Sequence, residues 1–264
     1  MSKVQGLLRS IVFGPVDSRR YGVSLGINLL PAARKVCLFD CPYCECGRTD
    51  RDLSAAPDWA LFPPASAVLT SLRERLSETA HARAIDAITL AGNGEPTLHP
   101  QFLEVIKGLA AARDALCPQA RIIVLSNGST LQSEAVREGL MIADERVIKI
   151  DAATDEMLHA MNSPVCRLTI EELTANIRQI PTCVTQTMFI QGDVDNTTDA
   201  HVAAWIGILA QIRPHAAQIY TVERRPASPG VLPVAAERLR EIARWLREEA
   251  GVPAIVYEAT PREG

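Results

Sequence analysis

The chain has 264 residues, 47% of them hydrophobic and 22% charged, a composition that excludes an intrinsically disordered protein and allows a full hydrophobic core. Its formal net charge is -4, so no global positive field draws it to nucleic acid or to an anionic membrane. The first twenty residues lack the apolar region of a signal peptide, and no stretch approaches the roughly 18 apolar residues of a membrane span, so we expect a cytoplasmic protein with no membrane partner.

Six strand-like segments alternate with helix-like segments along the chain. The strands are VSLGINLL, AITLAG, RIIVLSNG, RVIKIDA, CVTQTMFIQG and AAQIYTV. Helices are predicted near residues 65–80, 101–115, 131–141, 154–161, 170–179, 198–212 and 234–250, and a last strand in PAIVYE. Strands separated by helices indicate βαβ units and a parallel sheet. Six strands fall short of the eight of a closed β/α barrel, so the sheet is doubly wound or a partly open barrel.

We interpret residues 1–264 as one domain, because α/β barrels of this length are commonly single units. An N-terminal extension is expected over residues 1–20, the core over residues 21–235, and a C-terminal helix and strand over residues 236–264.

Side-chain alternation gives the first predicted strand one face of small residues. They are Gly22, Ser24, Gly26 and Asn28. We expect this face to admit a ligand. In RVIKIDA, Lys149 and Asp151 share a face at the C-terminal end of the strand, where open α/β sheets bind their ligands.

Three of the seven cysteines form a CxxxCxxC motif at Cys37, Cys41 and Cys44. Thiolates are the usual protein ligands of iron-sulfur clusters, and three of them on a four-iron cube leave one iron open for chemistry. The alternative is a closed zinc site completed by Cys46, in a zinc-stabilised binding module without catalysis. Zinc ligands usually come as two separated CxxC pairs, so the spacing favours the cluster and makes Cys46 a bystander.

The segment AGNGEPTLHP ends a predicted strand in a glycine-rich turn that carries one acid, Glu95. Glycines let backbone groups approach a ligand, and the carboxylate can meet a cation. The alternative is an ordinary strand-to-helix turn with Pro96 stopping the strand. Ser126 and Asn127 end the next strand in the same way, where they would bind a ribose or cap the following helix.

These motifs together resemble the radical S-adenosylmethionine (radical SAM) superfamily, through the aromatic residue before the last cysteine of CLFDCPYC and the GGEP-like GNGEP. More narrowly, the chain resembles the wyosine-synthase-like branch, whose founding enzymes form the wyosine base of tRNA. The segments that carry this narrower resemblance are GPVDSRRYGVSLGINL, CLFDCPYC, AGNGEPTLHP, IKIDAATDE, TQTMFIQG and QIYTVERRPASPG. The similarity runs from about residue 12 to residue 235 and implies a partial (β/α)6 barrel with its helices outside.

The resemblance implies a [4Fe-4S] cluster on Cys37, Cys41 and Cys44, whose open iron binds the amino and carboxylate groups of S-adenosylmethionine (SAM). An electron from reduced flavodoxin or ferredoxin would cleave SAM to methionine and a 5'-deoxyadenosyl radical, which abstracts hydrogen from an unidentified substrate. The residues expected to contact SAM are Tyr43, Gly92, Asn93, Gly94, Glu95, Ser126, Asn127 and Asp151.

Lys149 is a candidate catalytic residue, because a lysine near a radical site can form a Schiff base or donate a proton. The alternatives are a charge pair with Asp151 and a hydrogen bond to the cofactor. Gln186, Gln191 and Tyr220 are expected to face the same cavity, where they would shape the choice of substrate; the alternative is that they only satisfy backbone groups at the strand ends.

The chain departs from wyosine synthases in one respect. Those enzymes carry further cysteines ahead of CxxxCxxC, for a second cluster that engages pyruvate, whereas no cysteine here precedes Cys37. An acidic chain is also poorly suited to tRNA, because phosphate contacts require a concentrated basic surface. The alternative of a tRNA-modifying enzyme would use arginines to hold RNA beside the cluster, namely Arg19, Arg20, Arg48, Arg51, Arg224 and Arg225.

Overall fold

The structure is a computed structural model that describes residues 6–49, 59–79, 84–223 and 226–258. They divide into two compact units. The amino-terminal unit comprises Leu7–Leu38 and Thr49–Val147, and the carboxy-terminal unit comprises Phe39–Arg48, the chain from Ile148 onward and Gly6. The interpretation as a single domain stays a prediction. Among the described helices, none combines the length and the apolar character needed to cross a bilayer.

The amino-terminal unit is built on strands in the order β1-β2-β3-β4-β5. Strands β2, β3 and β4 are parallel, and β1 runs antiparallel to β2. The last two residues of β5 belong to the carboxy-terminal unit. The elements are β1 (Val12–Ser18), β2 (Gly22–Ile27), α1 (Ala65–Thr79), β3 (Ala87–Leu90), α2 (Phe102–Leu116), β4 (Arg121–Ser126), α3 (Glu134–Ile142) and β5 (Glu145–Lys149).

The carboxy-terminal unit continues from β5 with the order β5-β6-β8-β10, in which β6, β8 and β10 are parallel. Strands β7 and β9 form a separate antiparallel pair. The elements are α4 (Asp155–Asn162), α5 (Ile170–Ile177), β6 (Val184–Phe189), β7 (Gln191–Gly192), α6 (Asp199–Ile212), β8 (Ala216–Thr221), β9 (Val231–Leu232), α7 (Ala236–Ala250) and β10 (Ala254–Tyr257).

Local sequence explains where these helices begin and which face they bury. Thr154, Thr169 and Thr198 stand before α4, α5 and α6, and each side chain accepts a hydrogen bond from a backbone N–H in the first turn. Helix α7 is charged on its outer face, whereas its inward residues, from Leu239 to Leu246, are buried at helical spacing. All four residues of β3 are buried, as parallel strands covered on both faces require.

The predicted fold class, an α/β partial barrel of parallel strands and helices, is confirmed. The six predicted strands are β2, β3, β4, β5, β6 and β8, and PAIVYE forms β10. Each predicted helix is present; residue 80, at the end of the first, lies outside the described residues.

Strand β1 was not predicted, because Gly14 and Pro15 interrupt its pattern. They lie at an irregularity in the β1–β2 register between Phe13 and Val16, and proline is tolerated at a sheet edge because no ladder hydrogen bond is lost there. Residues 12–18 of the expected N-terminal extension therefore form the edge strand of this unit.

The expectation that the small face of β2 admits a ligand is wrong at Gly26. A side chain there would lie 2.1 Å from the ring of Phe13, which occupies the space. At the start of the strand, the Asp86 carboxylate fills the corresponding space beside Gly22 and accepts from the Val23 N–H at 2.8 Å. The small residues of β2 thus accommodate side chains of the same unit.

Candidate functional site

The glycine-rich turn lies directly against the residues that precede Cys37. Val36 donates its N–H to the Asn93 carbonyl at 2.9 Å, and Glu95 donates its N–H to the Val36 carbonyl at 2.9 Å. Gly94 has φ of +140°, and a Cβ there would lie 1.9 Å from the Val36 carbonyl oxygen, so only glycine permits this approach. Two motifs that are far apart in the sequence are therefore adjacent in the amino-terminal unit.

The buried Asn93 holds this turn in place through hydrogen bonds. Its amide oxygen accepts from the Leu8 N–H at 2.8 Å, and its amide nitrogen donates to the carbonyls of Leu8 and Pro31 at 2.8 and 2.9 Å. Its backbone N–H donates to the Asn28 side chain at 3.1 Å. Every polar group of Asn93 thus has a partner within the unit. The contact of Asn93 with SAM stays a prediction, and these hydrogen bonds give it no support.

Glu95 is almost fully buried and links the ends of β3 and β4. One carboxylate oxygen accepts from the Thr97 hydroxyl at 2.5 Å and the Thr97 N–H at 3.2 Å, and the other accepts from the Asn127 N–H at 2.6 Å. Burial raises the pKa of Glu95, although the hydrogen bonds from Asn127, Thr97 and Ser126 oppose that effect. The Glu95 carboxylate is therefore buried but accepts several hydrogen bonds.

The turn after β4 brings two further polar groups to the same place. The Asn127 amide donates to the sulfur of Cys37 at 3.3 Å, and its oxygen accepts from the Ser129 N–H at 2.9 Å. The Ser126 hydroxyl accepts from the Gly128 N–H at 3.1 Å. The Ser129 hydroxyl oxygen is buried and has no hydrogen-bond partner among the described residues. It is therefore open to an additional ligand.

In the carboxy-terminal unit, Asn162 at the end of α4 forms hydrogen bonds with the cysteine loop at two points. Its carbonyl accepts from the Asp40 N–H at 2.8 Å, and its side-chain amide donates to the sulfur of Cys41 at 3.3 Å. The loop itself is a tight turn in which the Cys44 N–H donates to the Cys41 carbonyl at 3.1 Å. The backbone and the sulfur of this loop are both fixed by one residue.

A buried polar cluster lies beside that loop, and we call it the Lys149 cluster. The Lys149 ammonium donates to the Tyr220 hydroxyl at 3.0 Å and pairs with the Asp151 carboxylate at 3.4 Å. The Tyr43 hydroxyl donates to Asp151, and the Asn162 amide donates to Tyr43 and Asp151 at 2.9 and 2.8 Å. Lys149 Nζ also lies 5.1 Å from the centroid of the Tyr43 ring. The structure therefore brings together four of the residues singled out from the sequence.

Burial and charge set the protonation of this cluster. Burial raises the pKa of Tyr43 well above its ordinary value, and the nearby Asp151 and Cys41 add to that effect. Burial lowers the pKa of Lys149, but Asp151, Tyr220 and Cys41 outweigh it, so that the pKa is raised. Burial also raises the pKa of the Cys41 thiol, and Lys149 opposes this. Lys149 is thus an ammonium ion at neutral pH. It forms the charge pair with Asp151 that was one of the alternatives for its role.

The two glutamines singled out from the sequence occupy different positions around β6. Gln186 is buried in β6, where its carbonyl accepts from the Ile150 N–H at 3.0 Å. Gln191 lies in β7, and its amide donates to the Thr197 hydroxyl at 3.1 Å. Their role toward a substrate stays a prediction.

The arginines proposed to hold RNA are only partly described. The Arg48 guanidinium pairs with Asp40 at 3.3 Å, and that of Arg20 lies 5.6 Å from the centroid of the Tyr21 ring. Arg51, Arg224 and Arg225 lie outside the described residues. An RNA-binding surface stays a prediction.

The seven cysteines all lie within the described residues, and they form no disulfide there. Cys37 and Cys41 are buried, whereas Cys44 and Cys46 are half-buried. Within the described ranges, no three or more histidine, cysteine, aspartate and glutamate side chains gather in the way that one metal ion requires. Reduced thiols are the donors that an iron-sulfur cluster takes, and two of them already accept an amide N–H, so the donor set fits such a cluster.

Two residues of the site were missed by sequence reasoning. Asn162 stands at the end of a helix and before Ser163-Pro164, a context that indicates only a helix terminus. Ser129 follows Asn127-Gly128, which indicates only a turn. No local sequence signal identifies either residue. Asn162 contacts Cys41, which lies 121 positions earlier in the chain, and the burial of the Ser129 hydroxyl depends on tertiary structure.

Similarity to solved structures agrees with this fold. A radical SAM methyltransferase from Sphaerobacter thermophilus has a TM-score of 0.63 at 16% identity, over 90% of this chain and 67% of that one. The structure of TYW1 with a lysine-pyruvate adduct bound has a TM-score of 0.58 at 13% identity, over 86% of this chain and 74% of that one. The fold is therefore that of the radical SAM class of proteins.

The sequence itself identifies the family. No protein-family model matches the chain. A UPF0026 protein of Synechocystis is 30% identical over 222 residues, which cover 83% of this chain and 76% of that protein. The chain belongs to the UPF0026 family. Its likeness to TYW1 is one of fold, so the narrower wyosine-synthase-like branch stays a prediction.

Proposed function

We propose that this chain is a radical SAM enzyme that binds one [4Fe-4S] cluster on Cys37, Cys41 and Cys44. The observation that carries the proposal is the backbone pairing of Val36 with Gly94. It sets the glycine-rich turn, which by resemblance holds the methionine end of SAM, immediately beside the first cysteine of the motif. When bound and reduced, the cluster and SAM together supply a 5'-deoxyadenosyl radical that removes hydrogen from a substrate.

Within the amino-terminal unit, the polar groups around Glu95 are suited to the amine and ribose of SAM. An amine bound beside the buried Glu95 carboxyl would favour its ionised form against the effect of burial, and the donors to Glu95 hold it in one orientation. The Ser129 hydroxyl offers a hydrogen bond that no group in the described part of the chain takes up. Gly92, Gly94, Ser126 and Asn127 shape the turns on which these groups stand.

Within the carboxy-terminal unit, the Lys149 cluster provides the polar environment for a substrate. Lys149 holds its proton on Nζ, between the Asp151 carboxylate and the Tyr220 hydroxyl. Tyr43 keeps its phenolic proton and donates it in a hydrogen bond to Asp151. We infer that Lys149 binds or protonates the substrate as a cation, and that Tyr220, Gln186 and Gln191 contribute to substrate choice.

Reconstitution under anaerobic conditions tests the proposal. Iron and sulfide should give about four irons per chain, and dithionite with SAM should then release 5'-deoxyadenosine, measured by chromatography. The Cys44→Ala variant should lose both, whereas Cys166→Ala, outside the motif, should keep both. A chain that holds one tight zinc ion and forms no 5'-deoxyadenosine is instead the zinc-stabilised binding module.

The physiological partners remain part of the proposal. We expect reduced flavodoxin or ferredoxin to supply the electron in the cytoplasm. A tRNA substrate is the second candidate, and it predicts binding that weakens steeply with salt, because each phosphate contact releases counterions. If the chain does not bind tRNA, or binds it with no dependence on salt, the substrate is a molecule other than RNA.

A further inference from the structure

We propose that Asn127 and Asn162 are positioning residues that donate hydrogen bonds to two cysteine sulfurs of the cluster and thereby raise its reduction potential. The inference rests on the proposed function, because it requires a cluster bound through Cys37 and Cys41. Neither asparagine needs to touch the substrate, since each acts through the sulfur that it contacts.

The orientation of Asn127 is fixed by its other contacts. Its side-chain oxygen accepts from the Ser129 N–H at 2.9 Å, so the nitrogen is the end that faces Cys37 Sγ at 3.3 Å. Its backbone N–H is held by Glu95 at 2.6 Å. Asn127 and Cys37 are both buried, so the contact is shielded from water. The amide is thus aimed at the sulfur by groups on either side of it.

Asn162 reaches Cys41 in an equally constrained way. Its amide nitrogen lies 2.8 Å from the Asp151 carboxylate, which in its ionised form only accepts hydrogen bonds, so the donor end must face this group. The same nitrogen lies 3.3 Å from Cys41 Sγ and 2.9 Å from the Tyr43 hydroxyl. Its carbonyl holds the Asp40 N–H. The residue is 1% exposed, and its side chain has little freedom to turn away.

These contacts matter for the cluster because of the charge that reduction adds. An electron accepted by the cluster increases the negative charge on its sulfur ligands, and an N–H dipole aimed at a sulfur stabilises that charge. The low polarity of a buried site strengthens the effect. A neutral thiol is only a weak acceptor, so it gives little reason for two separate asparagines to point at two motif cysteines.

Redox titration of the reconstituted chain, without SAM and followed by electron paramagnetic resonance, tests the inference. Asn127→Leu and Asn162→Leu keep the approximate shape but lack the donor. Each should lower the ratio of reduced to oxidised cluster at a fixed potential about tenfold, which corresponds to about 59 mV for a one-electron couple. The corresponding Asp variants, which add negative charge, should lower it further.

Asn196→Ser is the matched control. Asn196 is also fully buried, but among the described residues its amide donates to the carbonyls of Asp151 and Met188 and to no sulfur. Loss of this amide should leave the ratio within about twofold of the unmodified chain, since no cluster ligand loses a donor. Equal shifts in Asn196→Ser and in the two Leu variants would show a general effect of packing and overturn the inference.

A second measurement needs no substitution. Nitrogen-15 placed in the asparagine side chains should appear as a weak coupling to the reduced cluster in pulsed electron paramagnetic resonance, and its absence would overturn the inference even if the Leu variants fail to load iron. A loaded cluster with an unchanged potential in both Leu variants overturns the inference alone. Failure of the unmodified chain to form a four-iron cluster overturns the proposed function, and the inference with it.

Discussion

Lys149 Nζ lies 3.0 Å from the hydroxyl oxygen of Tyr220, which joins the end of β5 to β8 inside the carboxy-terminal unit. Both residues were singled out from the sequence, yet nothing in their spacing shows that they touch. The contact makes Tyr220 a hydrogen-bond partner of a buried cation that is also paired with Asp151.

We expect this pair to be coupled in stability. Lys149→Met should lower the free energy of unfolding by about 3 kcal/mol, because it leaves the buried Asp151 carboxylate without its cation. Tyr220→Phe should cost about 1.5 kcal/mol, the loss of one hydrogen bond to a charged group. The double variant should lose about 1 kcal/mol less than the sum, since the contact can be lost only once. Urea unfolding of the four proteins measures this, and strictly additive losses would contradict it.

The sequence sufficed to predict the succession of parallel strands and helices along the chain, because buried strands and amphipathic helices have distinct periodicities. It was insufficient for β1, in which Gly14 and Pro15 disturb the alternation. That omission led directly to the wrong expectation for Gly26, because the ring that covers this glycine comes from Phe13 in β1.

Some residues of the candidate site could likewise be predicted from the sequence, and others could not. The cysteines and Glu95 could be selected because their chemistry is unusual for their spacing. Asn162 could not, since its importance comes from a contact with Cys41, 121 positions earlier in the chain. Hydrogen bonds of this kind depend on tertiary structure, and a single sequence carries no local pattern for them.

Replacement of Gly94 should disrupt the turn beside Cys37. Gly94→Ala places a Cβ 1.9 Å from the Val36 carbonyl oxygen at a φ of +140°, so we expect a loss of at least about 3 kcal/mol of stability and of most bound iron. Gly207→Ala is the matched control, because an added Cβ there meets nothing within 4 Å on helix α6. It should stabilise the chain by about 0.5–1 kcal/mol. Thermal unfolding and iron content measure both, and a fully loaded, stable Gly94→Ala protein would refute the prediction.

Single cysteine variants should separate the cluster ligands from Cys46. Cys37→Ala and Cys41→Ala should each lose most of the roughly four irons expected per chain, because each removes one of three ligands. Cys46→Ala should retain iron. Chemical analysis of iron and sulfide gives the answer. If instead Cys46→Ala loses its metal like the others, four thiolates bind it and the closed zinc site is favoured.

Acid should weaken the amino-terminal unit through His99. Burial lowers the pKa of His99 from its ordinary value near 6.5. Its Nε2 contacts the Pro63 carbonyl at 2.8 Å and its Nδ1 accepts from the Gln101 N–H at 3.1 Å, so a second ring proton would break the latter contact. The unfolded chain therefore binds the proton first, and the free energy of unfolding falls as the pH drops below about 6.5.

The His99→Gln variant should show a shallower fall. Urea unfolding at a series of pH values between about 7 and 5 measures the slope for both proteins, in the range where an unperturbed histidine titrates. Identical slopes would mean that other groups account for the acid sensitivity.

The amide of Asn93 fastens Leu8 and Pro31 to the turn that leads to Glu95. A recombinant version trimmed past Leu8 would remove the donor to the Asn93 amide oxygen and leave the amide nitrogen with the Pro31 carbonyl. We expect the damage to appear as poor metal incorporation, because the strands of the sheet would all still be present. Tags and fusion partners are therefore best joined ahead of this anchor, with the leading segment left intact.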